Sequence, residues 1–498
     1  MLLRAVPILA LLITIVLATA LPPEHRQGQV VDGTGPVAGV RVRVQGQCTW
    51  TKTNHKGEFS LATRKNNRNP ITAWKPGYAI AELLPHTKPL TIKLQRLPTE
   101  DNPDYSWTAP TPSETAKNNC GNCHRQIFTE WKGSRHADSA NNKHLLNLFS
   151  GTDWHGRPMP TWNVQKENDL GSGVCANCHA PTFRDATLEY DLAKVNGVAG
   201  HGVHCDFCHK IADAPTDKLG LLFGKDGYKL LRPPKGEQIS FGPLEDAVRP
   251  GEMFGHSPIY KESRYCASCH EGIVFGVHVY GTYSEWQRSP AKKRGQHCQT
   301  CHMAPTGRMT NIAPGHGGIQ RNPSTLASHH LPGRHPLMLR KSLPMTIQCQ
   351  PEKKELRVIV TVRPTNVGHR VPTGFPDRNL ILLVEATRKN GQNGVLLSGS
   401  RLSALAGKKL TGKPGRLYAK QLMGNKGEQP HPFWLPVGKI TDSRLYPERT
   451  EKQTFVFAEG VTKVRVRLLY RRFWHTVSEA KQWPDNETLV WDRVVEVN

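Results

Sequence analysis

Apolar residues follow a different spacing in each part of this chain, and the changes mark its predicted segments. A continuous apolar run from Ala5 to Leu17 follows Arg4 and ends in Ala18-Thr19-Ala20 before Leu21-Pro22. A charged start, a short apolar stretch and a small-x-small cleavage site predict a secretory signal peptide over residues 1–20. At about 13 residues the run falls short of the roughly 20 that span a bilayer, so removal is favoured over anchoring. No later run is long enough to span, and no cysteine at the cleavage site offers a lipid anchor. Over residues 25–98 the period becomes two. Val40-Arg41-Val42-Arg43-Val44 alternates apolar and basic side chains, the mark of a half-buried strand. Turns at Asn54-His55-Lys56-Gly57 and Trp74-Lys75-Pro76-Gly77 separate further short strands, the last being Leu90-Thr91-Ile92-Lys93-Leu94. Residues 99–118 set Pro103, Pro110 and Pro112 among polar residues and read as a linker. Periodicity then vanishes: residues 119–345 are rich in Gly, Pro and His, which predicts short helices and loops. From residue 350 to 498 period two returns, in Leu356, Val358, Val360 and Val362. Further runs at Leu380 to Val384, Phe455 to Phe457, Val464 to Tyr470 and Leu489 to Val495 predict a β-sandwich-like domain. The fold class expected is multidomain α+β, with two β domains flanking an irregular, short-helix middle.

A middle domain of that composition buries little core from its own side chains, and its cysteines indicate what replaces it. Cys-x-x-Cys-His occurs five times: Cys120-Cys123-His124, Cys175-Cys178-His179, Cys205-Cys208-His209, Cys266-Cys269-His270 and Cys298-Cys301-His302. The pattern reads as a c-type haem attachment site, two thiols reaching the two vinyl groups of one porphyrin and the next residue ligating its iron. Chance would supply roughly 0.01 such motifs in a chain of this composition. Zinc also takes paired Cys and His, but it does not require a His directly after every pair. Five covalently bound haem c groups are therefore expected, with His124, His179, His209, His270 and His302 as proximal ligands and the porphyrins as the core of residues 119–345. The gaps between motifs alternate long and short, which predicts that the second and third haems, and the fourth and fifth, form close pairs.

The strand and turn order of residues 25–98 resembles the carboxypeptidase regulatory-like domain, a small transthyretin-like β-sandwich. The resemblance covers about 70 residues; it implies a stability or docking module and supplies no catalytic residue.

Haem attachment takes place outside the bacterial cytoplasm, so the motifs and the signal peptide agree on an exported protein, in the periplasm or at the cell surface. Ten of the 12 cysteines belong to the motifs. Cys48 and Cys349 lie in different predicted domains, and both a disulfide between them and two free buried thiols stay open. The formal net charge is +25. Ten propionates would bring about −10 at neutral pH, so the loaded protein stays cationic. For an exported chain this excludes nucleic acid as the expected partner. It points to neutralised propionates, or to steering toward acidic or membrane-associated, quinol-linked redox partners or an anionic small molecule.

The sixth iron ligand decides what such haems do, a second His giving an electron carrier and an open position admitting substrate. Residues 119–345 hold 17 His, 12 of them outside the motifs. His136 leads the distal candidates by its place in Trp131-x-x-Ser134-x-His136. His330 and His335 follow, then His256, which lies shortly before the fourth motif, and His204, which directly precedes Cys205 and would serve a neighbouring iron. His369 lies on the β side and would tie the C-terminal domain to the haems. Each has a second-shell or surface alternative, and Met303 and Met309 suit packing better than ligation. A weak internal repeat joins Glu130-Trp131-x-x-Ser134 to Glu285-Trp286-x-x-Ser289, the second copy continuing Pro290-Ala291 where the first has Arg135-His136. The two copies are expected to differ in ligation.

Several stretches together resemble a family of secreted multihaem cytochromes c whose haem part is related to the tetrahaem cytochrome serving hydroxylamine oxidoreductase. They are Cys120 to His136, Gly202-Val203-His204-Cys205-Asp206-Phe207-Cys208-His209-Lys210, Thr282 to Trp286 leading to Cys298-to-Met303, His330-to-His335 and Gly368-His369-Arg370-Val371-Pro372-Thr373-Gly374-Phe375-Pro376. The resemblance spans roughly residues 104–475 and implies electron transfer through mostly bis-histidine haems, without naming a substrate. The alternative is a reductase or oxidase of a small nitrogen or sulfur compound at one open haem, with Arg135, His155, Arg264 or His278 supplying charge or protons. No Cys-x-x-Cys-Lys variant, which would resemble ammonia-forming nitrite reductase, is present. A third possibility is a haem-bearing scaffold docked through its β domains.

Overall fold

The computed structural model describes residues 24–498 except 65, 85, 168–173, 185–190, 250, 275–276, 334 and 498. The expected signal peptide lies outside the described residues. The chain is mixed α/β, with many short strands in several sheets and few helices. Contacts divide it into two units, one of residues up to Leu97 with Asp246–Val248, the other of Pro98–Glu245 and Arg249–Asn498. No described helix is long and apolar enough to cross a membrane.

In the first unit the alternation is realised as two four-stranded sheets. One pairs Glu24–Asp32 with Gly35–Pro36, Glu58–Thr63 and, in parallel, Thr91–Lys93. The other runs Thr51–Lys52, Arg41–Val44, Ile71–Trp74, Ala81–Leu83. Val42 and Val44 are fully buried while Arg41 and Arg43 keep their heads toward solvent. Val30, Phe59, Leu61 and Ile92 of the first sheet meet Val42, Val44, Ile71 and Ala73 of the second in one apolar cluster. The turn at residues 54–58 is closed by the Asn54 side chain, which accepts from the amides of Lys56 and Glu58 at 2.9 Å each. Gly57 there has φ +73°, and a Cβ would lie 2.5 Å from the Val30 carbonyl oxygen, so the position admits only glycine.

In the second unit, the described residues of 98–345 form short helices, none of them longer than the eight residues of Arg125–Lys132 and Lys143–Ser150, and three two-stranded ribbons. The stretch expected as a linker is strapped to this unit. Asp101 pairs with Arg232 at 2.5 Å, Asn102 donates to the Pro233 carbonyl at 2.9 Å, and the Thr108 amide donates to Asp206 at 2.7 Å. Buried Lys210 answers that Asp206 carboxylate at 2.5 Å, so the charge is paired where water is scarce.

The C-terminal residues build a four-stranded sheet (Met345–Glu352, Glu355–Val362, Glu451–Ala458, Leu396–Ser398) and a five-stranded one (Lys439–Asp442, Gly415–Met423, Asn379–Arg388, Val461–Arg471, Glu487–Glu496). Val358, Val360, Phe455 and Phe457 pack against Leu380, Leu382, Val384 and Val466 across the space between them. The other face of the five-stranded sheet is covered too. Ile381, Leu383 and Leu469 meet Trp434, Phe473, Trp474 and Trp483, together with Leu148 and Val164 of the haem segment. Burial on both faces explains why Leu380 to Val384 is continuously apolar rather than alternating. Lys481 closes this seam: it is 1% exposed and donates to the carbonyls of Asn147, Thr152 and Trp162 at 2.9–3.1 Å. Phe455 lies at the centre of the first core and is fully buried. Phe455→Ala is expected to cost about 3–5 kcal/mol, read as a lower denaturation midpoint with an unchanged haem spectrum.

Candidate functional site

Each Cys-x-x-Cys-His motif lies on or directly ends a short helix: Cys120–Cys123, Val174–His179, Cys205–Cys208, Arg264–His270 and Cys298–His302. One helical turn places both thiols of a motif on the same side and its His just beyond them. By their sulfur contacts the cysteines of the motifs sort into two sets. Cys205 meets Cys120, so the first and third motifs adjoin. Cys178 meets Cys269 and Cys266 meets Cys298, so the second, fourth and fifth adjoin. The expected pairing of the fourth and fifth sites matches these contacts. The expected pairing of the second with the third does not, because those motifs meet the fourth and the first across the fold. The neighbouring sulfur, then burial, pushes the Cys178 and Cys205 thiols well above their ordinary range, and burial pushes Cys208 to about 12.

The imidazoles follow the same division. Nδ1 of His124 faces the Ile312 carbonyl at 2.9 Å, that of His209 the Phe241 carbonyl at 2.6 Å, and that of His302 the Pro332 carbonyl at 2.7 Å. A carbonyl only accepts, so Nδ1 carries the hydrogen and Nε2 keeps a free lone pair, the arrangement of an oriented metal ligand. Burial, reinforced by neighbouring imidazoles, pushes His270 down to about 3, and burial pushes His179 to about 4. Both are neutral, ligand-competent bases near pH 7.

Two distal candidates stand opposite proximal ones. The ring centroids of His136 and His270 are 6.4 Å apart, and those of His302 and His369 are 6.3 Å apart with planes within 17°. Two imidazoles bound to one metal at about 2.0–2.1 Å each, with ring radii of about 1.1 Å, have centroids about 6.3 Å apart. Both pairs thus fit a single iron between them. His369 also turns Nδ1 to the Arg370 carbonyl at 2.9 Å, which leaves Nε2 with a free lone pair. Burial, with the nearby imidazoles of His302 and His179, lowers His136 to about 4.

The other candidates are placed differently. His330 is more than half exposed and lies 3.9 Å from Glu130. Its neighbour His329 is the inward one. Burial and the nearby rings of His209 and His124 push it to about 4, and its amide donates to Glu130 at 2.8 Å. Adjacent histidines on an extended segment face opposite ways, a signal that could have found His329 from sequence. His335 is exposed and caps the helix Pro336–Ser342, accepting from the Leu337 amide at 3.3 Å. His256 ends the strand Met253–His256 with Nε2 3.8 Å from Glu245. His204 is fully buried, with Nε2 3.1 Å from the Thr182 hydroxyl and Nδ1 without a hydrogen-bond partner, so one ring nitrogen is left for a ligand. Of the residues considered as charge or proton sources at an open haem, Arg135 pairs with Asp138 at 3.7 Å and Arg264 with Glu262 and Asp213 at 2.6 and 2.5 Å. His278 is bonded to Glu271, and His155 is exposed. Met309 is buried packing.

Between the two sets of motifs lies a tyrosine cluster. Tyr260 stacks on His209 at 5.7 Å and on Tyr265 at 4.6 Å, and Tyr228 reaches the Cys269 sulfur at 3.9 Å. Burial raises all three phenols, so they stay neutral where charge would perturb the haem sites.

Among the described residues no three His, Cys, Asp or Glu side chains converge as ligands of a bare metal ion. Zinc needs four such donors, whereas a haem iron takes two from the protein. The thiols, the oriented proximal imidazoles and the two facing ring pairs fit haem.

Residues 119–210 match the family described as cytochrome c554 and c-prime. No curated protein matches the chain. A crystal structure of a penta-heme cytochrome c552 from Thermochromatium tepidum is similar in fold, with a TM-score of 0.54 at 23% identity, over 76% of this chain and 97% of that one. The family match covers the first three Cys-x-x-Cys-His motifs, and the likeness to the penta-heme cytochrome is one of fold.

Proposed function

We propose that this chain is an exported pentahaem c-type cytochrome that passes single electrons between redox partner proteins. The facing pair His302 and His369, at the separation one iron requires, carries the reading. Each haem is attached through the two cysteines of its motif. His124, His179, His209, His270 and His302 hold the proximal faces. His136 closes the fourth iron and His369 the fifth, and His329, rather than His330 or His335, serves the set of the first and third. His204 offers Nδ1 as a further ligand, and His256 stays outside the ligand set beside Glu245. Haem c supplies the one-electron iron couple. The protein sets its potential through two imidazoles, a buried surround and hydrogen bonds to the ligands.

The cationic surplus favours acidic or membrane-associated, quinol-linked cytochromes as donors or acceptors. The expected signal peptide supports a location in the periplasm or at the cell surface, and the first unit serves as a carboxypeptidase regulatory-like docking or stability module. Reductive titration of the purified protein is expected to take up five electrons per chain in one-electron steps. Uptake of clearly fewer by fully matured protein would refute the pentahaem carrier.

A further inference from the structure

The Glu-Trp-x-x-Ser repeat has the same wiring in both copies. In the first, Glu130 accepts from the His329 amide at 2.8 Å and the Ser328 hydroxyl at 3.2 Å. In the second, Glu285 accepts from the Arg370 amide at 3.1 Å and the Thr373 hydroxyl at 2.7 Å, one residue past His369. The Trp131 indole donates to the Val203 carbonyl at 2.8 Å, and the Trp286 indole to the Gln296 carbonyl at 2.7 Å. Val203 and Gln296 each stand two residues before the first cysteine of the following motif, Cys205 and Cys298. Glu130, Trp131 and Trp286 are 4–5% exposed, and the Glu285 side chain 8%.

Past the shared Glu-Trp-x-x-Ser the copies part. The first has His136 five residues after its Trp; the second has Ala291. Gly368 packs there, where a Cβ would lie 3.1 Å from Trp286 and 3.3 Å from Ala291. The small residue thus leaves room for the loop that brings His369 in from the C-terminal sheets.

We propose that the two copies are paired clamps that position distal ligands: each carboxylate holds the loop presenting one imidazole, and each indole holds the segment entering a haem motif, the third for Trp131 and the fifth for Trp286. Glu130 and Glu285 are positioning residues; the ligands they act through are His329 and His369. A buried carboxylate accepting from backbone amides makes charge-assisted, short hydrogen bonds, so the main chain beside each imidazole is fixed rather than only its ring. The pairing of Trp and Glu on one helical turn couples the distal loop to the proximal side, keeping two faces of the haem core in register. The inference rests on the bis-histidine reading.

The test uses the haem-loaded full chain and ferric electron paramagnetic resonance. Glu285→Ala is expected to bring a high-spin signal from part of one haem while all five remain attached, and Glu285→Gln, which still accepts, to restore the low-spin spectrum. Glu130→Ala is expected to do the same at a haem of the other set. Thr373→Val, a milder change in the same contact, is expected to shift the low-spin g values of that haem. A purely structural role would lower thermal stability and leave the spin signals alone; unchanged spectra in Glu285→Ala and Thr373→Val would overturn the clamp. His369→Ala separates the two levels. If it opens one haem and the clamp variants do not, only the clamp fails. If it also leaves the spectrum unchanged, the ligand reading fails with it.

Discussion

His369→Ala is expected to turn one haem from low to high spin, with a ferric high-spin signal near one fifth of the total haem and a site that binds added imidazole. His369 stands 6.3 Å from His302 with the rings nearly parallel, and its tautomer is fixed by the Arg370 carbonyl. Its loop is held by Glu285, which also pairs with the nearly buried Arg444 at 2.7 Å. Alanine shortens the side chain without releasing that loop, so the iron keeps one protein ligand. The potential of that haem shifts with the loss of an imidazole. His330→Ala is the matched control: it removes an exposed ring beside Glu130 and is expected to leave all spin signals unchanged.

The double substitution Cys266→Ser and Cys269→Ser is expected to be the most damaging in the molecule. It removes both thioether attachments of the fourth haem, whose motif touches four neighbours: Cys269 meets Cys178 and Tyr228, Cys266 meets Cys298, and His270 faces His136. In this segment the apolar clusters of protein side chains are small. Loss of a core group the size of a porphyrin costs at least the about 3–5 kcal/mol of a buried aromatic truncation, a large share of the about 5–15 kcal/mol that holds a domain together. The expected result is a chain lacking at least one haem by mass, with residues 98–345 cleaved rapidly by protease. The sheets of residues 24–97 have their own core of valines, Phe59 and Ile71 and are expected to resist.

How far the sequence reveals this protein depends on which interactions are local. Period two in Val40 to Val44 and Leu356 to Val362 marks strands because each residue's face is set by its own neighbours. The haem motifs are legible for the same reason: both thiols and the proximal His come from one helical turn. The distal ligands come from far along the chain, and there the reading divides. His369 and His136 stand opposite proximal imidazoles, but His330 and His335 were favoured over His329, whose inward turn depends on Glu130, some 199 residues away in sequence. The gap lengths misled about the second and third motifs, because their neighbours are chosen by tertiary packing. Residues 99–118 read as a tether from their prolines, yet Asp101, Asn102 and Thr108 bind Arg232, Pro233 and Asp206. The continuous apolar run at Leu380 to Val384 was recognised as strand, but its burial on both faces required the aromatic cover of Phe473, Trp474 and Trp483.

The central claim is that the irons are closed by protein on both faces and carry electrons rather than bind substrate. Electron paramagnetic resonance of the fully oxidised, five-haem protein, with haem integrated against total iron, tests it most directly. The account predicts low-spin ferric signals from all five haems, unchanged by nitrite or hydroxylamine. A high-spin fraction amounting to one haem or more that shifts when either compound is added would contradict it.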